Sequence, residues 1–455
     1  MLALGLDQGG FFSRSWGWSA IVLLLAGAVA ASVRADFSSS RSELAAVALL
    51  AALTGWTALS ALWSSAPSTS VDEATRTLVY LAAAVAVALL GGRRELPLLL
   101  AGVFCALAAL TVYGLARYLF AAKRVFGFYE GFQLYKPIGY SNGFGLLAAV
   151  GALLALGLVV YGSRRARAAA GAALPIFVAA LYLTSSRGAW LALAAGTLAT
   201  LALDPRRGRV LAALLAAAPF CAAAVVVAAR SDLLHRAAPF PSPNAGKLLA
   251  LWLCLLALGA AAAIRASERL DLGRNALLGL AVGIVAAAVA VALRGGLAGQ
   301  DRAAYWHVAW REYVAHPVLG SGAGTFQLYW QRERPIASGA LDAHNLYLES
   351  LAELGPPGLA LLAGALALPL AAAARARRIP LVPAAAGAFV AYVVHAAVDW
   401  DWELPAVTVA GLACGLAVLA AARGSGRKTP RTVGLWLVTI LALAAFALVV
   451  RKNGY

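Results

Sequence analysis

Residues 344–371 read HNLYLESLAELGPPGLALLAGALALPLA, and they join a polar segment to a long apolar run. A histidine, an asparagine and two glutamates come first, Gly-Pro-Pro-Gly follows at 355–358, and nearly every later residue is apolar. The run from 350 to 371 is long enough to cross the ~30 Å hydrocarbon core of a bilayer as a helix. Polar groups concentrated at the edge of hydrocarbon are costly and usually mark function. We therefore expect a membrane helix with a reactive site at its mouth.

The composition of the whole chain indicates a protein that lies mostly in a membrane. Of its 455 residues, 62% are hydrophobic and only 13% are charged, and the mean hydropathy is +0.81. Soluble domains carry about 25% charged residues, so a soluble globule is excluded. A helix satisfies its own backbone hydrogen bonds in lipid. The sequence therefore predicts an all-α, polytopic integral membrane protein.

Fourteen apolar runs are predicted to cross the bilayer as parts of one transmembrane domain over residues 1–455, so we expect about 12–14 transmembrane helices. The runs lie at 17–34, 44–63, 75–91, 96–120, 142–162, 168–184, 188–204, 209–229, 247–264, 275–293, 350–371, 380–398, 404–422 and 432–450. The first run is interpreted as a retained helix because many spans follow it. The largest insertion, 295–349, is predicted to be an extracytoplasmic loop with short helices of its own.

Loops rich in arginine alternate along the chain with loops rich in aromatic residues. The arginine-rich loops are 92–95, 163–168, 204–209, 265–274, 374–378 and 423–431. The aromatic loops are 64–75, 121–141, 231–246, 295–343 and 399–403. The positive-inside rule places the first set in the cytoplasm and the second set outside. The net charge of +17 is therefore a sign of topology, and no nucleic acid partner is expected.

Arg302, Trp306 and Trp310 recur at four-residue spacing in the long outer loop, so a helix would place them on one face. An arginine beside indole rings suits a sugar and an anionic group, through apolar stacking and cation–π contact. The alternative is an aromatic helix that lies on lipid headgroups.

Gly320-Ser-Gly-Ala-Gly-Thr325 follows in the same loop. A glycine-rich turn can direct backbone N–H groups at phosphate. No strand precedes it, so a dinucleotide-binding motif does not apply, and a tight turn is the preferred interpretation.

His344 is the candidate catalytic base. An imidazole titrates near neutral pH and can take a proton from a hydroxyl. If the chain is helical from Ala343, His344 shares a face with Tyr347, and Glu353 lies on the neighbouring face before 355–358 kinks the chain. The alternative is an interfacial histidine that only hydrogen-bonds a loop.

Cationic side chains at the predicted outer ends of spans are candidates for binding an anionic headgroup. Arg187, in the hairpin 184–190, could hold a diphosphate through two parallel hydrogen bonds, or it could extend to lipid headgroups. Lys136 and Asn142 precede the next predicted span within KPIGYSN, and Arg117 lies one turn inside the span before them.

Asp399 and Asp401 form a D-x-D pair at the predicted outer end of a span. Two carboxylates could hold a divalent cation. Capping of the loop, or pairing with an outer arginine, is the alternative that we favour, and no metal is expected.

These segments together resemble the O-antigen ligase and O-antigen polymerase superfamily, and the part from Arg302 to Gly358 is the most specific. The resemblance rests on Ser186-Arg187-Gly188, on Arg302, Trp306 and Ala309, on Pro317, Gly320, Gly322, Gly324 and Phe326, on His344-Asn345, Leu348, Glu353, Gly355 and Gly358, and on the outlying Gly139, Asn142, His395, Asp399 and Pro405. Our span count exceeds what is usual for the ligases.

The resemblance implies a GT-C-like, multi-pass glycosyltransferase of the bacterial plasma (inner) membrane, with its active site facing the periplasm. Such an enzyme moves a glycan from undecaprenyl diphosphate to a glycan or glycolipid acceptor such as lipid A-core, without a cofactor and with inversion. It implies that His344 is the essential histidine and that Arg187 and Arg302 bind the donor diphosphate, with Arg117 and Lys136 as further candidates. Contact with sugar or lipid, or support of the site, is expected of Trp306, Trp310, Tyr347, Asn142, Asn345 and Glu353.

Two other functions share part of this pattern. A polymerase that extends lipid-linked repeat units would have the same features and a different acceptor. A transporter for a lipid-linked glycan would need charged or broken spans at the bilayer midplane, whereas the charges here cluster at one face.

Overall fold

The computed structural model describes residues 1–33, 36–121, 132–231, 233, 244–267, 279, 283, 300–423, 427–430 and 439. Regular structure in these ranges is almost entirely helical, and eight of the described helices are long and apolar enough to cross a membrane. The protein is therefore an all-α polytopic membrane protein, as the composition predicts.

Fifteen α-helices are described, and we number them in chain order. They are α1 Leu2–Leu6, α2 Arg14–Val33, α3 Arg41–Leu59, α4 Pro67–Leu90, α5 Leu96–Leu119, α6 Ser141–Tyr161, α7 Arg164–Leu183, α8 Arg187–Leu203, α9 Arg207–Arg230, α10 Ala245–Ser267, α11 Gln300–Ala315, α12 Phe326–Glu333, α13 Leu346–Ala376, α14 Val382–His395 and α15 Pro405–Ala421. Short 3₁₀ turns lie at Gln8–Gly10, Ser60–Leu62 and Asp401–Glu403.

Twelve of the predicted spans coincide with described helices. Eight of these helices meet the length and hydropathy expected of a span, and four are apolar but shorter. The shorter apolar segments are Arg14–Val29, Arg187–Leu203, Val382–His395 and Pro405–Ala421. The predicted spans 275–293 and 432–450 lie outside the described residues, apart from single positions.

Contacts divide the chain into two compact units, each assembled from three segments. Unit 1 comprises Met1–Gly9, Leu100–Gly295 and Ala376–His395, and unit 2 comprises Gly10–Leu99, Gly296–Arg375 and Ala396–Tyr455. The single transmembrane domain and the extracytoplasmic position of 295–349 stay predictions. Within that insertion, α11 and α12 are the short helices that the structure describes.

Helix α6 is the buried centre of unit 1, and it packs against α7, α8, α9 and α14. Small residues let its neighbours approach closely, as is usual between helices in membranes. A Cβ added at Gly151 would lie 2.4 Å from the ring of Phe177, and one at Gly157 would lie 2.5 Å from the Cβ of Ala384. Larger residues at these two positions would therefore separate the helices.

Helix α4 is the buried helix of unit 2, where it packs against α2, α3 and α15. Leu24, Val79 and Ala82 are fully buried in this core. Glu43, in the first turn of α3, forms an ion pair with Arg423, which follows α15. Two short strands of this unit, β1 Asp36–Ser39 and β2 Arg427–Pro430, pair antiparallel.

Candidate functional site

His344 lies on the loop that precedes α13, and not inside the helix. Its φ is +55°, in the left-handed region, and α13 begins at Leu346. The side-chain oxygen of Asn345 accepts hydrogen bonds of 3.1 Å from the backbone N–H groups of Tyr347 and Leu348. Asn345 is therefore the N-terminal cap of the helix, and this cap keeps His344 in the loop. Asn345 and Tyr347 were predicted to contact the substrate or to support the site. Asn345 supports the start of α13, and Tyr347 is half-buried in its first turn.

The imidazole of His344 is held in one tautomer. Its Nδ1 lies 3.0 Å from the backbone oxygen of Asp342. Because a carbonyl oxygen can only accept, Nδ1 carries the hydrogen of the neutral ring, and Nε2 is the proton acceptor. The ring centroid lies 4.9 Å from that of Tyr305 and 6.4 Å from that of Trp400. The local geometry therefore suits a base.

Burial and nearby charges act on the same ring. Burial lowers the pKa of His344 below its usual value, while the carboxylate of Asp399 and the Asp342 carbonyl act to raise it and Arg302 acts to lower it. The net effect favours the neutral imidazole at pH 7, which is the form that can accept a proton.

Arg302, in the first turns of α11, belongs to the same site. Its Nη2 donates to the Oδ2 of Asp399 at 2.9 Å, and the side chains are 20% and 1% exposed. The other oxygen of Asp399 accepts from the backbone N–H of Trp400 at 2.9 Å. Asp399 therefore pairs with an arginine, one of the roles that the D-x-D pattern left open. A guanidinium has five N–H donors, so this pair leaves Arg302 able to bind a second anion.

A cluster of buried charges lies beside the His344 loop, and the sequence pattern did not reveal it. Arg76 of α4 forms ion pairs with Glu73 and with Glu403. Carboxylate oxygens of Asp342, Glu349 and Glu403 lie within 4.8 Å of one another. A charged residue inside the first turns of a predicted span was the available signal. Its partner Glu403 lies 327 positions away, so only the fold could identify the pair.

Protonation can neutralise part of this cluster. Burial raises the pKa of Asp342 to about 7, with Arg76 opposing the shift and Glu73 adding to it. Burial also raises the pKa of Glu403, and the Arg76 guanidinium opposes that shift. The three grouped carboxylates are close enough to bind one cation. Arg76 already supplies positive charge to Glu403, however, so the cluster does not require an ion.

The glycine-rich turn encloses a carboxylate of the protein itself. Backbone N–H groups of Gly324 and Phe326 donate to the two carboxylate oxygens of Glu353, at 2.8 and 2.9 Å. Gly320, Gly322 and Gly324 have φ values of +74°, +107° and +74°, which residues with a Cβ rarely adopt. The structure thus has the tight turn, with these two amides occupied by Glu353. Glu353, which the sequence predicted to contact the substrate or to support the site, thus supports the glycine-rich turn.

The kink predicted at Gly355-Pro-Pro-Gly358 is confirmed, and it lies within α13. Gly355 has φ +66° and ψ −176°, so α13 consists of two helical segments that meet there. A Cβ at this position would lie 2.5 Å from the backbone oxygen of Val318. The kink therefore makes room for the chain that enters the glycine-rich turn.

A second buried carboxylate, Glu312 of α11, holds the other side of this turn. Its Oε1 accepts hydrogen bonds from the hydroxyls of Ser321 at 2.7 Å and Thr325 at 3.0 Å. Its Oε2 has no hydrogen-bond partner among the described residues. Burial raises the pKa of Glu312 to about 7, against the two hydroxyl hydrogen bonds.

The predicted helix that carries Arg302 and the two tryptophans is present as α11, but a different face of it is buried. The buried positions include Tyr305, Val308 and Ala309. Trp306 is half-buried, whereas Trp310 is 51% exposed. The aromatic side chain of α11 that lies against His344 is Tyr305, which the four-residue spacing did not select.

The remaining predicted site residues belong to unit 1. Arg187 is exposed at the first position of α8, which Ser186 caps. Arg117 donates to the hydroxyl of Tyr113 at 3.1 Å, and Asn142 donates to the hydroxyl of Tyr140 at 2.8 Å. Lys136 is exposed, with its Nζ 5.6 Å from the ring centroid of Tyr135. The meeting of these residues with His344 stays a prediction, because they lie in different units.

Comparison with known proteins gives a family match that covers part of the candidate site. Residues 244–363 match a family model described as O-antigen ligase. The matched segment contains Arg302, the glycine-rich turn, His344 and Glu353. The match confirms the resemblance to the O-antigen ligase and O-antigen polymerase superfamily. A search of curated proteins gives no match to the chain.

Glu312 is expected to make stability depend on pH. The pKa of Glu312 in the folded state is raised to about 7. Its contribution to the free energy of unfolding is therefore complete below the pKa of the unfolded chain, and it is lost as pH rises through 7. The full loss is up to about 3 kcal/mol. The Glu312→Gln variant should lose this dependence, seen as a smaller change in the thermal unfolding midpoint between pH 5 and pH 8.

Asp301→Asn is the matched control for this experiment, since Asp301 is an exposed acid in the first turn of the same helix. It should keep the pH dependence of the original chain. Equal pH dependence in Glu312→Gln and the original chain would contradict the assignment.

Proposed function

We propose that the protein is an O-antigen ligase-type glycosyltransferase. It moves a glycan from undecaprenyl diphosphate to an acceptor hydroxyl, such as one on lipid A-core, at the outer face of the bacterial plasma membrane. The family match supports O-antigen ligase or polymerase activity in general. The observation that carries the finer proposal is that the matched segment holds both an oriented imidazole, His344, and a partly exposed guanidinium, Arg302, whose charge acts on that imidazole.

His344 acts as the base in this proposal. A sugar hydroxyl is a poor nucleophile, so loss of its proton during attack lowers the barrier. The hydroxyl oxygen attacks the anomeric carbon of the donor, its proton passes to Nε2 of His344, and the bond from the anomeric carbon to the diphosphate oxygen breaks. A single displacement of this kind inverts the anomeric centre. It requires no nucleophile from the protein.

Arg302 stabilises the leaving group. A diphosphate departs with its negative charge, so it needs positive charge held in place rather than a general acid. Asp399 fixes the guanidinium of Arg302, and the exposed fraction of the arginine side chain is available to the donor. Arg187, Arg117 and Lys136 are proposed as further cations for the same diphosphate.

Arg76 is a positioning residue in this scheme. It forms an ion pair with Glu403, and its charge acts on Asp342. The backbone of Asp342 in turn holds Nδ1 of His344. Arg76 therefore contributes to the reaction through the loop, without contact to the reacting atoms.

Replacement of His344 by alanine should reduce glycan transfer by about 10²- to 10⁴-fold, the usual contribution of a general base. The measurement is transfer from purified lipid-linked donor by the reconstituted variant. His307→Ala is the control, because His307 is exposed on α11, and it should retain activity. Near-normal turnover by His344→Ala would remove the base from the mechanism.

Replacement of Arg302 by alanine should weaken donor binding by about 10- to 100-fold, as expected for a charged hydrogen bond. Donor affinity is measured directly, and Arg302→Lys should recover part of it because the charge remains. Arg311→Ala is the matched control on the same helix, since the Arg311 side chain is 58% exposed. Equal donor affinity in Arg302→Ala and Arg311→Ala would exclude the diphosphate role.

A ligase and a polymerase differ in the acceptor, and both fit the matched family. Incubation with lipid-linked donor alone separates them. A ligase is expected to give no product until an acceptor such as lipid A-core is added. A ladder of longer lipid-linked glycans in the donor-only reaction, resolved by mass spectrometry, would show a polymerase instead.

A further inference from the structure

A basic crevice lies between helix ends in unit 1, and the residues that line it include none of the candidate site residues described for the transfer reaction. It is formed where the end of α6, the starts of α7 and α9, and the end of α10 come together. Arg167 and Arg209 line it, and apolar side chains that include Val159 and Ile264 form its walls. Its volume is about 360 Å³, which includes the part open to solvent. The crevice therefore combines two cations with an apolar surface.

The two arginines are placed by backbone contacts. Arg167 donates from Nε to the backbone oxygen of Gly162 at 2.9 Å, which holds its guanidinium at the end of α6. Arg209 lies in the first turn of α9, where its N–H donates to the oxygen of Arg206 at 2.8 Å. Helices α7, α9 and α10 pack against one another around them. Both cations are thus presented by rigid elements.

The surroundings of the crevice carry an excess of positive charge. Five more arginines occupy the same helix ends: Arg164, Arg165, Arg206, Arg207 and Arg265. The described acidic residue there is Asp204, which is buried and accepts from the hydroxyl of Tyr161 and the N–H of Arg206, each at 2.7 Å. Like charges repel one another, so an anion bound among these arginines is stabilised.

The outer faces of the adjoining helices are apolar. Leu215 of α9 is 40% exposed, and Leu255 and Leu258 of α10 are 50% and 69% exposed. Both helices are long and apolar enough to cross a membrane, so these faces suit acyl chains. A ligand that combines a phosphate with acyl chains matches both the arginines and the leucines. Basic pockets between membrane helices are known to take lipid headgroups.

We propose that this crevice binds an acidic phospholipid. Its phosphate lies between Arg167 and Arg209, and its acyl chains lie along α9 and α10. The arginine-rich loops at these helix ends are among those predicted to face the cytoplasm. The proposal does not depend on the proposed function, because its test measures lipid retention and no glycan.

The test uses the full-length protein in detergent and counts bound lipids by native mass spectrometry. Phosphatidylglycerol is the anionic probe, phosphatidylcholine the zwitterionic one, and inorganic phosphate the soluble one. The original chain should retain phosphatidylglycerol in preference to phosphatidylcholine. Arg209→Gln should weaken that retention about fivefold, and Arg167→Gln with Arg209→Gln about 25-fold, if each arginine contributes as basic residues near membranes usually do.

Arg93→Gln with Arg94→Gln is the matched control. Both residues are exposed in another predicted cytoplasmic loop, so the same charge is removed without touching the crevice. Retention equal to that of the original chain is expected. Equal losses in the control and the crevice variant, or binding of inorganic phosphate without any of phosphatidylglycerol, would overturn the proposal. If the double variant does not fold, Arg209→Gln decides alone, because Arg209 is exposed and the hydrogen bond described for it is donated by its backbone N–H.

Discussion

The burial of charge is the constraint on which unit 2 depends. An ion removed from water costs several kcal/mol unless a partner compensates it. Arg76 is only 6% exposed, and it is compensated by Glu73 on its own helix and by Glu403 from a distant 3₁₀ turn. Separation of these groups would leave a buried charge without compensation. The pairing therefore holds α4 and that turn in one arrangement.

Buried polar contacts also hold the candidate site in place from two sides. On one side, the charge cluster includes Asp342, whose backbone oxygen orients the ring of His344. On the other side, the carboxylate of Glu353 and that of Glu312 hold the glycine-rich turn that connects α11 to α12. Polar contacts thus hold the elements that carry the imidazole and Arg302. A base and a cation can act on one substrate only if such contacts keep their separation constant.

The two proposals assign phosphate chemistry to both units by different means. In unit 2, Arg302 is held by a carboxylate and belongs to the same candidate site as the proposed base, His344. In unit 1 the arginines of the crevice have apolar walls, and the described residues that line it include no histidine, cysteine or acidic residue. The first arrangement suits a reaction at a diphosphate, and the second suits retention of a lipid. The difference follows from what surrounds the guanidinium groups rather than from the groups themselves.

The sequence by itself determined the class of fold, twelve of the described helices and the kink at Gly355, and it made His344 and Arg302 the candidate site residues. These features are local, because apolar runs, helix caps and glycine turns act over a few residues. Only the tertiary structure decided that Tyr305 contacts His344, that Glu353 fills the glycine-rich turn and that Arg76 pairs with Glu403. Periodicity cannot choose between the faces of a helix as short and mixed as α11. The partner of a buried charge can come from any part of the chain, so the spacing of residues along the sequence does not predict it.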